Sequence, residues 1–201
     1  MLELQKDRTA LLVMDVQNDI VHEDGKYKPF GNPAHAKERN IFDPIEAVLD
    51  KAREEDLKVI HVKFGMRDFE AEMEGCHAPI LAAVAGMRAC DLNAWGGEIY
   101  ETFKPVEGED IVEKNRVDAF IGTNLQELLD EADIETLLLT GVATNWVVEA
   151  TARHAADDGY RVIVLEDCCS SMNQAMHDFS IDNILSNIAT ISNSGEIIES
   201  L

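Results

Sequence analysis

Short, uninterrupted apolar runs alternate along this chain with stretches whose apolar residues recur every three or four positions. Runs apolar on both faces, such as TALLVMD at 9–15, predict central strands of a parallel sheet. The same reasoning predicts strands at 58–63 (KVIHVK), 110–114 (DIVEK), 161–166 (RVIVLE) and 189–191. Another begins at Thr136, runs through Leu137, Leu138 and Leu139, and closes at Thr140 and Gly141. Helical spacing predicts helices over 43–55, with Pro44 in the first turn, and over 79–87, 124–131, 173–186 and 194–201. A further helix opens near Thr144, read as its N-cap, and stops at Gly159. Residues 22–40 are polar, carry Gly25, Pro29, Gly31 and Pro33, and read as a long loop. Residues 64–97 carry, besides the helix, a glycine-bearing segment at Trp95, Gly96 and Gly97. Strands alternating with helices imply βαβ units, right-handed crossovers and a three-layer α/β/α sandwich around a mainly parallel six-stranded sheet. No repeat, low-complexity tract or linker divides the chain, so one domain over 1–201 is expected.

Charge narrows the partners. The chain carries 39 acidic and 17 basic residues, a net charge of -22. Nucleic acid and anionic membrane both require a basic face, so neither is expected as a partner. A halophilic source and an ordinary acidic cytoplasmic protein both fit this balance. Cys76, Cys90, Cys168 and Cys169 form no CxxC pair and no zinc spacing, and read as free thiols of a reducing cytoplasm. The N-terminal stretch lacks the basic region of a signal peptide, and its apolar run breaks at Asp15. No stretch has the length of a membrane span. The expected location is cytoplasmic.

Candidate chemistry gathers at the strand ends. In a parallel sheet Asp15, Lys114 and the turn from Gly141 to Val147 fall at the carboxyl end, where α/β folds place ligands. A carboxylate held ionised by a lysine can act as a general base. Backbone N–H groups at the start of the helix at Asn145 suit an oxyanion. Taken singly, Asp15 fits a helix cap and Lys114 a surface lysine. Arg116 and Arg153 read as structural ion-pairing residues. His61, inside an apolar strand, reads as a satisfied core histidine, and His22, His35, His77, His154 and His177 lack ligand spacing, so no metal is expected. Phe30, Phe64, Trp95, Phe120 and Trp146 are core or pocket aromatics.

Four segments carry a resemblance that spans most of the chain: ALLVMDVQNDI at 10–20, WGGEIYETFKP at 95–105, IVEKNRVDAFIGTNLQELL at 111–129 and LLLTGVATNWVVEATARHAADDGYRVIVLEDCCSS at 137–171. The chain resembles the isochorismatase-like, or cysteine hydrolase, superfamily, which includes nicotinamidases, N-carbamoylsarcosine amidases and ureidoacrylate amidohydrolases. The resemblance implies a Rossmann-like fold and an Asp-Lys-Cys triad, in which Asp15 matches the base and Lys114 the lysine. Val147 stands where the family pattern has its nucleophilic cysteine. The resemblance also implies a cis peptide at Val142–Ala143 and an oxyanion hole from the N–H groups of Ala143 and Val147. Gln17, Phe64, Trp95, Asn145 and Trp146 are the expected substrate-pocket residues. The Asp and two His of a nicotinamidase metal site are missing after the second strand, where Phe64-Gly65-Met66-Arg67-Asp68 stands. The implied state is a cofactor-free homo-oligomer, a dimer or tetramer, acting on a small molecule.

Valine closes the covalent thiol route. Three readings remain. One is a scaffold for C–N hydrolysis of small amides or ureides whose nucleophile has been replaced. Another is a nucleophile-free vinyl ether hydrolase of the isochorismatase type, with Asp15 assisting addition of water. The third is a pseudoenzyme that binds a small polar ligand.

Overall fold

The computed structural model describes residues 2–201. Its sheet contains β1 (Thr9–Met14), β2 (Lys58–Phe64), β3 (Asp110–Lys114), β4 (Thr136–Val142), β5 (Arg161–Ser170) and β6 (Thr190–Ser192). The spatial order is β3-β2-β1-β4-β5-β6, and every neighbouring pair is parallel. This is the doubly wound order, whose direction reverses between β1 and β4.

Side-chain alternation along β1 makes the three layers. All six of its residues are buried. Leu11 and Val13 enter a core on one face, while Ala10, Leu12 and Met14 enter a second core on the other. The first core is covered by α1 (Asn18–Val21), α2 (Asn32–Glu38), α3 (Phe42–Glu54), α4 (Phe69–Glu72), α5 (Pro79–Met87) and α9 (Ser194–Ser200). The second is covered by α6 (Leu125–Glu131), α7 (Glu149–Asp157) and α8 (Gln174–Asn183). Helix α3 illustrates the cause: Ile45, Val48, Leu49 and Ala52, three or four apart, are its buried stripe. None of the described helices is long and apolar enough to cross a membrane.

Three local expectations are corrected. Residues 22–40 are not one loop: they hold a 3₁₀ turn at Lys28–Phe30 and α2, which starts after Gly31 at φ 94° with Pro33 in its first turn. Helix α2 buries Asn32, Pro33, His35 and Ala36, so half of its inner face is polar and hydrophobic periodicity misses it. Strand β5 runs past Glu166 to Ser170, because a register shift lets Cys169 and Ser170 pair with Gly141 and Val142. Thr144 is not an N-cap. It begins a π-helical turn, Thr144–Val148, that leads into α7, and its hydroxyl meets His177 Nδ1 at 2.8 Å.

Candidate functional site

The reversal point between β1 and β4 opens into a pocket of about 490 Å³, counting the space at its mouth. Asp15 follows the last residue of β1 in the left-handed region, φ 56°, and its N–H donates to Val62 O at 2.9 Å. Non-glycine residues held at such angles cost on the order of 1 kcal/mol and cluster at functional sites. Lys114 ends β3, two strands away from β1, and reaches across β2 to the carboxylate. Its Nζ donates to Asp15 Oδ2 at 2.8 Å and to Arg116 O at 3.1 Å, and lies 4.8 Å from the Phe64 ring centroid.

Both partners are sealed: Asp15 is 5% and Lys114 3% exposed. Burial penalises the carboxylate more than Lys114 stabilises it, so the Asp15 pKa rises from 3.8 to about 6. The sequence suggested a carboxylate that its cation holds ionised. In the folded chain the ion pair is present, but desolvation is the larger effect.

The end of β4 supplies the opposite wall. The Val142–Ala143 peptide is cis, and Val142, Ala143, Trp146 and Val147 all line the pocket. Val147, 1% exposed, presents only aliphatic carbon. The π-helical turn bearing it is pinned from behind by Thr144 and His177, whose Nε2 meets Glu166 Oε1 at 2.9 Å. Arg39 closes this chain by bonding both the Glu166 carboxylate and its backbone carbonyl. Burial lowers the His177 pKa, which favours the neutral ring that a hydroxyl and a carboxylate can share.

Of the other expected pocket residues, Phe64 and Trp146 line the cavity. Gln17 stands behind it: its Oε1 accepts from Phe64 N–H at 2.8 Å and its Nε2 donates to Phe64 O at 2.8 Å and Gly97 O at 2.9 Å. Gln17 therefore holds Phe64 in place. Asn145 turns aside to Ser171 Oγ. Trp95 is 47% exposed and packs edge-on to His22 at 5.0 Å, outside the lining. His61 pairs with Glu109 at 2.8 Å inside the strand layer, and Arg153 pairs with Glu149. Arg116 instead donates to the Glu72 and Asn115 carbonyls.

Several lining residues carried no sequence signal strong enough to single out. Tyr27 and Asn32 come from the stretch read as loop, and Ile80, Leu81 and Val84 from the inner face of α5. A signal did exist for Asn32, in the Asn-Pro that opens α2. Cys90 is the cysteine whose thiol feels Asp15 and Lys114 electrostatically. It lies buried against Tyr27 rather than on the cavity wall, and burial pushes its pKa well above the usual thiol value, so it stays protonated.

A doubly wound α/β sheet, with a buried carboxylate–lysine pair and a cis-peptide turn lining one pocket at the strand-order reversal, defines a Rossmann-like protein with its pocket at the carboxyl ends of the strands. The chain belongs to the isochorismatase family of hydrolases, whose isochorismatase domain matches residues 9–196. It is 30% identical to an uncharacterised isochorismatase family protein of Escherichia coli O157:H7, over all of both chains. It is 27% identical to a ureidoacrylate amidohydrolase of Acinetobacter baylyi, over 91% of this chain and 79% of that one. An isochorismatase-like hydrolase from Alkaliphilus metalliredigens superposes with a TM-score of 0.77 at 28% identity, covering 96% of this chain and 98% of the other.

Proposed function

We propose that this chain is a scaffold for C–N bond hydrolysis in small amides or ureides, in which Val147 stands in place of the attacking group. The chain as it stands binds such molecules without covalent turnover. The observation that carries this reading is the 2.8 Å Lys114–Asp15 pair on the same cavity as Val147 and the Val142–Ala143 turn. The similarity to ureidoacrylate amidohydrolases supports the bond type.

The roles follow from the geometry. A thiol at position 147 would give its proton to Asp15, ionised for the most part above pH 6, while Lys114 balances the charge on the carboxyl group. The thiolate adds to the carbonyl carbon, the amine leaves with a proton returned by Asp15, and water releases the acyl group. Backbone N–H groups of Ala143 and Val147 are the candidates for holding the oxyanion.

The test is ammonia release by the chain and by its Val147→Cys variant on simple amides, carbamoyl amino acids, nicotinamide and ureidoacrylate-like ureides. Turnover confined to the cysteine variant supports the reading. Silence from both proteins across the panel refutes it.

A second reading draws on one feature. Asp15 Oδ1 is buried without a partner among the described residues, on a carboxyl group with a pKa of about 6. Such a group delivers a proton near neutral pH and serves acid-assisted addition of water, the vinyl ether route, without any nucleophile at 147. Turnover of isochorismate by the valine chain would select it.

A further inference from the structure

The pocket's polar atoms discriminate among ligands. Three of the buried side-chain atoms without a hydrogen-bond partner among the described residues belong to residues lining this one cavity: Asp15 Oδ1, Asn32 Oδ1 and Trp146 Nε1. Buried polar atoms are nearly always paired. Three unpaired atoms around one cavity mark positions that a ligand completes. Asn32 is 1% exposed, so bulk water does not serve it.

The charges around the cavity narrow the ligand further. Lys114 is the one cation among the lining residues, and its Nζ is committed to Asp15 Oδ2 at 2.8 Å and Arg116 O at 3.1 Å. A ligand carboxylate would find no free cation, and would face the Asp15 carboxyl and the field of a chain of net charge -22. The rest of the wall is mostly apolar, from Ile20, Ile80, Leu81, Val84, Val117 and Met172, with the rings of Phe64 and Tyr27 beside them. An amide or ureide head carries both N–H donors and a carbonyl acceptor. It is therefore the chemical complement of the acceptor Asp15 Oδ1, the Asn32 amide and the donor Trp146 Nε1.

We infer that the pocket selects uncharged amides or ureides with an apolar tail and rejects their carboxylate-bearing counterparts, with the Asp15 carboxyl group excluding the acid and Asn32 recognising the amide head. The inference deepens the amide or ureide reading above. It separates this chain from relatives named for ureidoacrylate, which is itself a carboxylate.

The experiment is isothermal titration calorimetry of the intact valine chain at pH 7.5 with two matched pairs: isovaleramide against isovalerate, and butylurea against 3-ureidopropionate. The neutral member of each pair should bind at least about 10-fold more tightly, which is about 1.4 kcal/mol. Asn32→Leu, similar in shape, should lower the isovaleramide-to-isovalerate ratio at least about 3-fold with an unchanged melting temperature, while the butylurea-to-3-ureidopropionate ratio, which the Asp15 carboxyl group sets, stays high. Should Asn32→Leu unfold, Asn32→Ala reads the same position, and Trp146→Phe deletes one donor while keeping the ring. Equal or tighter binding of the acids, or no binding of any of the four, overturns the selectivity. A folded Asn32 variant that keeps the full isovaleramide-to-isovalerate ratio overturns the assignment to Asn32. Binding is read without turnover, so this inference and the hydrolytic reading, which fails when Val147→Cys is silent, fall separately.

Discussion

Replacing Asp15 by asparagine should stabilise the protein, although it removes the carboxyl group at the centre of the site. Asparagine keeps the shape and cannot ionise, so it imitates the protonated acid. The rise of the Asp15 pKa from 3.8 to about 6 means that the folded chain binds this proton more tightly than the unfolded chain. The sign follows: this group favours folding most below pH 4, and its contribution is lost as pH climbs to about 6. At pH 7.5 the loss is complete and corresponds to about 3 kcal/mol, at 1.36 kcal/mol per pK unit. At pH 5 it is about half of that. Lys114 loses its charged partner equally in the variant and in the protonated parent, so its cost cancels in the comparison. Guanidinium denaturation followed by circular dichroism should therefore find Asp15→Asn more stable by about 3 kcal/mol at pH 7.5 and by about 1.5 kcal/mol at pH 5. A variant less stable than the parent at pH 7.5, or a difference independent of pH, refutes the reasoning. It would mean that the attraction of Lys114 outweighs desolvation and that the carboxyl group is held ionised instead.

Other substitutions probe the framework of the same pocket. Val147→Cys should create amide turnover where the parent has none, at a stability cost of about 1 kcal/mol for the lost methyl, read by ammonia release and thermal melting together. Gly141→Ala should cost about 3 kcal/mol or more, because φ is 130° there and a Cβ would sit 2.0 Å from Met14 O; a normal melting temperature would contradict that close approach. Thr144→Val should cost about 1–3 kcal/mol by stranding His177 Nδ1 behind the π-helical turn. In a Val147→Cys background the same change should lower kcat more than it raises KM, which a purely remote packing defect would not do.

Much of the architecture was legible from the chain alone because its cause is local. A strand apolar on both faces, such as residues 9–14, can only lie inside a sheet covered on both sides. The stripe Ile45, Val48, Leu49 and Ala52 suits only a helix laid on one face. Five of the six strands could be placed to within about one residue for this reason; β5 could not, because its last residues join the sheet only through pairing with Gly141 and Val142 across a register shift. Helix α2 is not legible from periodicity, because two of its four buried residues, Asn32 and His35, are polar, and nothing nearby in sequence reveals that a pocket and the Ser171 N–H will receive them.

By itself the sequence determined the alternation of strands and helices, the acidic surface, the place of Asp15 and Lys114 at strand ends, and the aliphatic side chain at position 147. These depend on residue type and on spacing along the chain. Tertiary structure alone decided which strand ends meet, and what their residues become there. Asp15 and Lys114, 99 positions apart, touch because β2 lies between their strands in a parallel sheet. Closing helices over both faces then removes water from the pair, and desolvation, which no local pattern encodes, turns an ordinary carboxylate into an acid poised near pH 6. The same closure leaves Gln17 behind the wall, Trp95 outside the lining and the polar atoms of Asn32 and Trp146 unpaired, because a pocket's inventory is fixed by packing between distant segments.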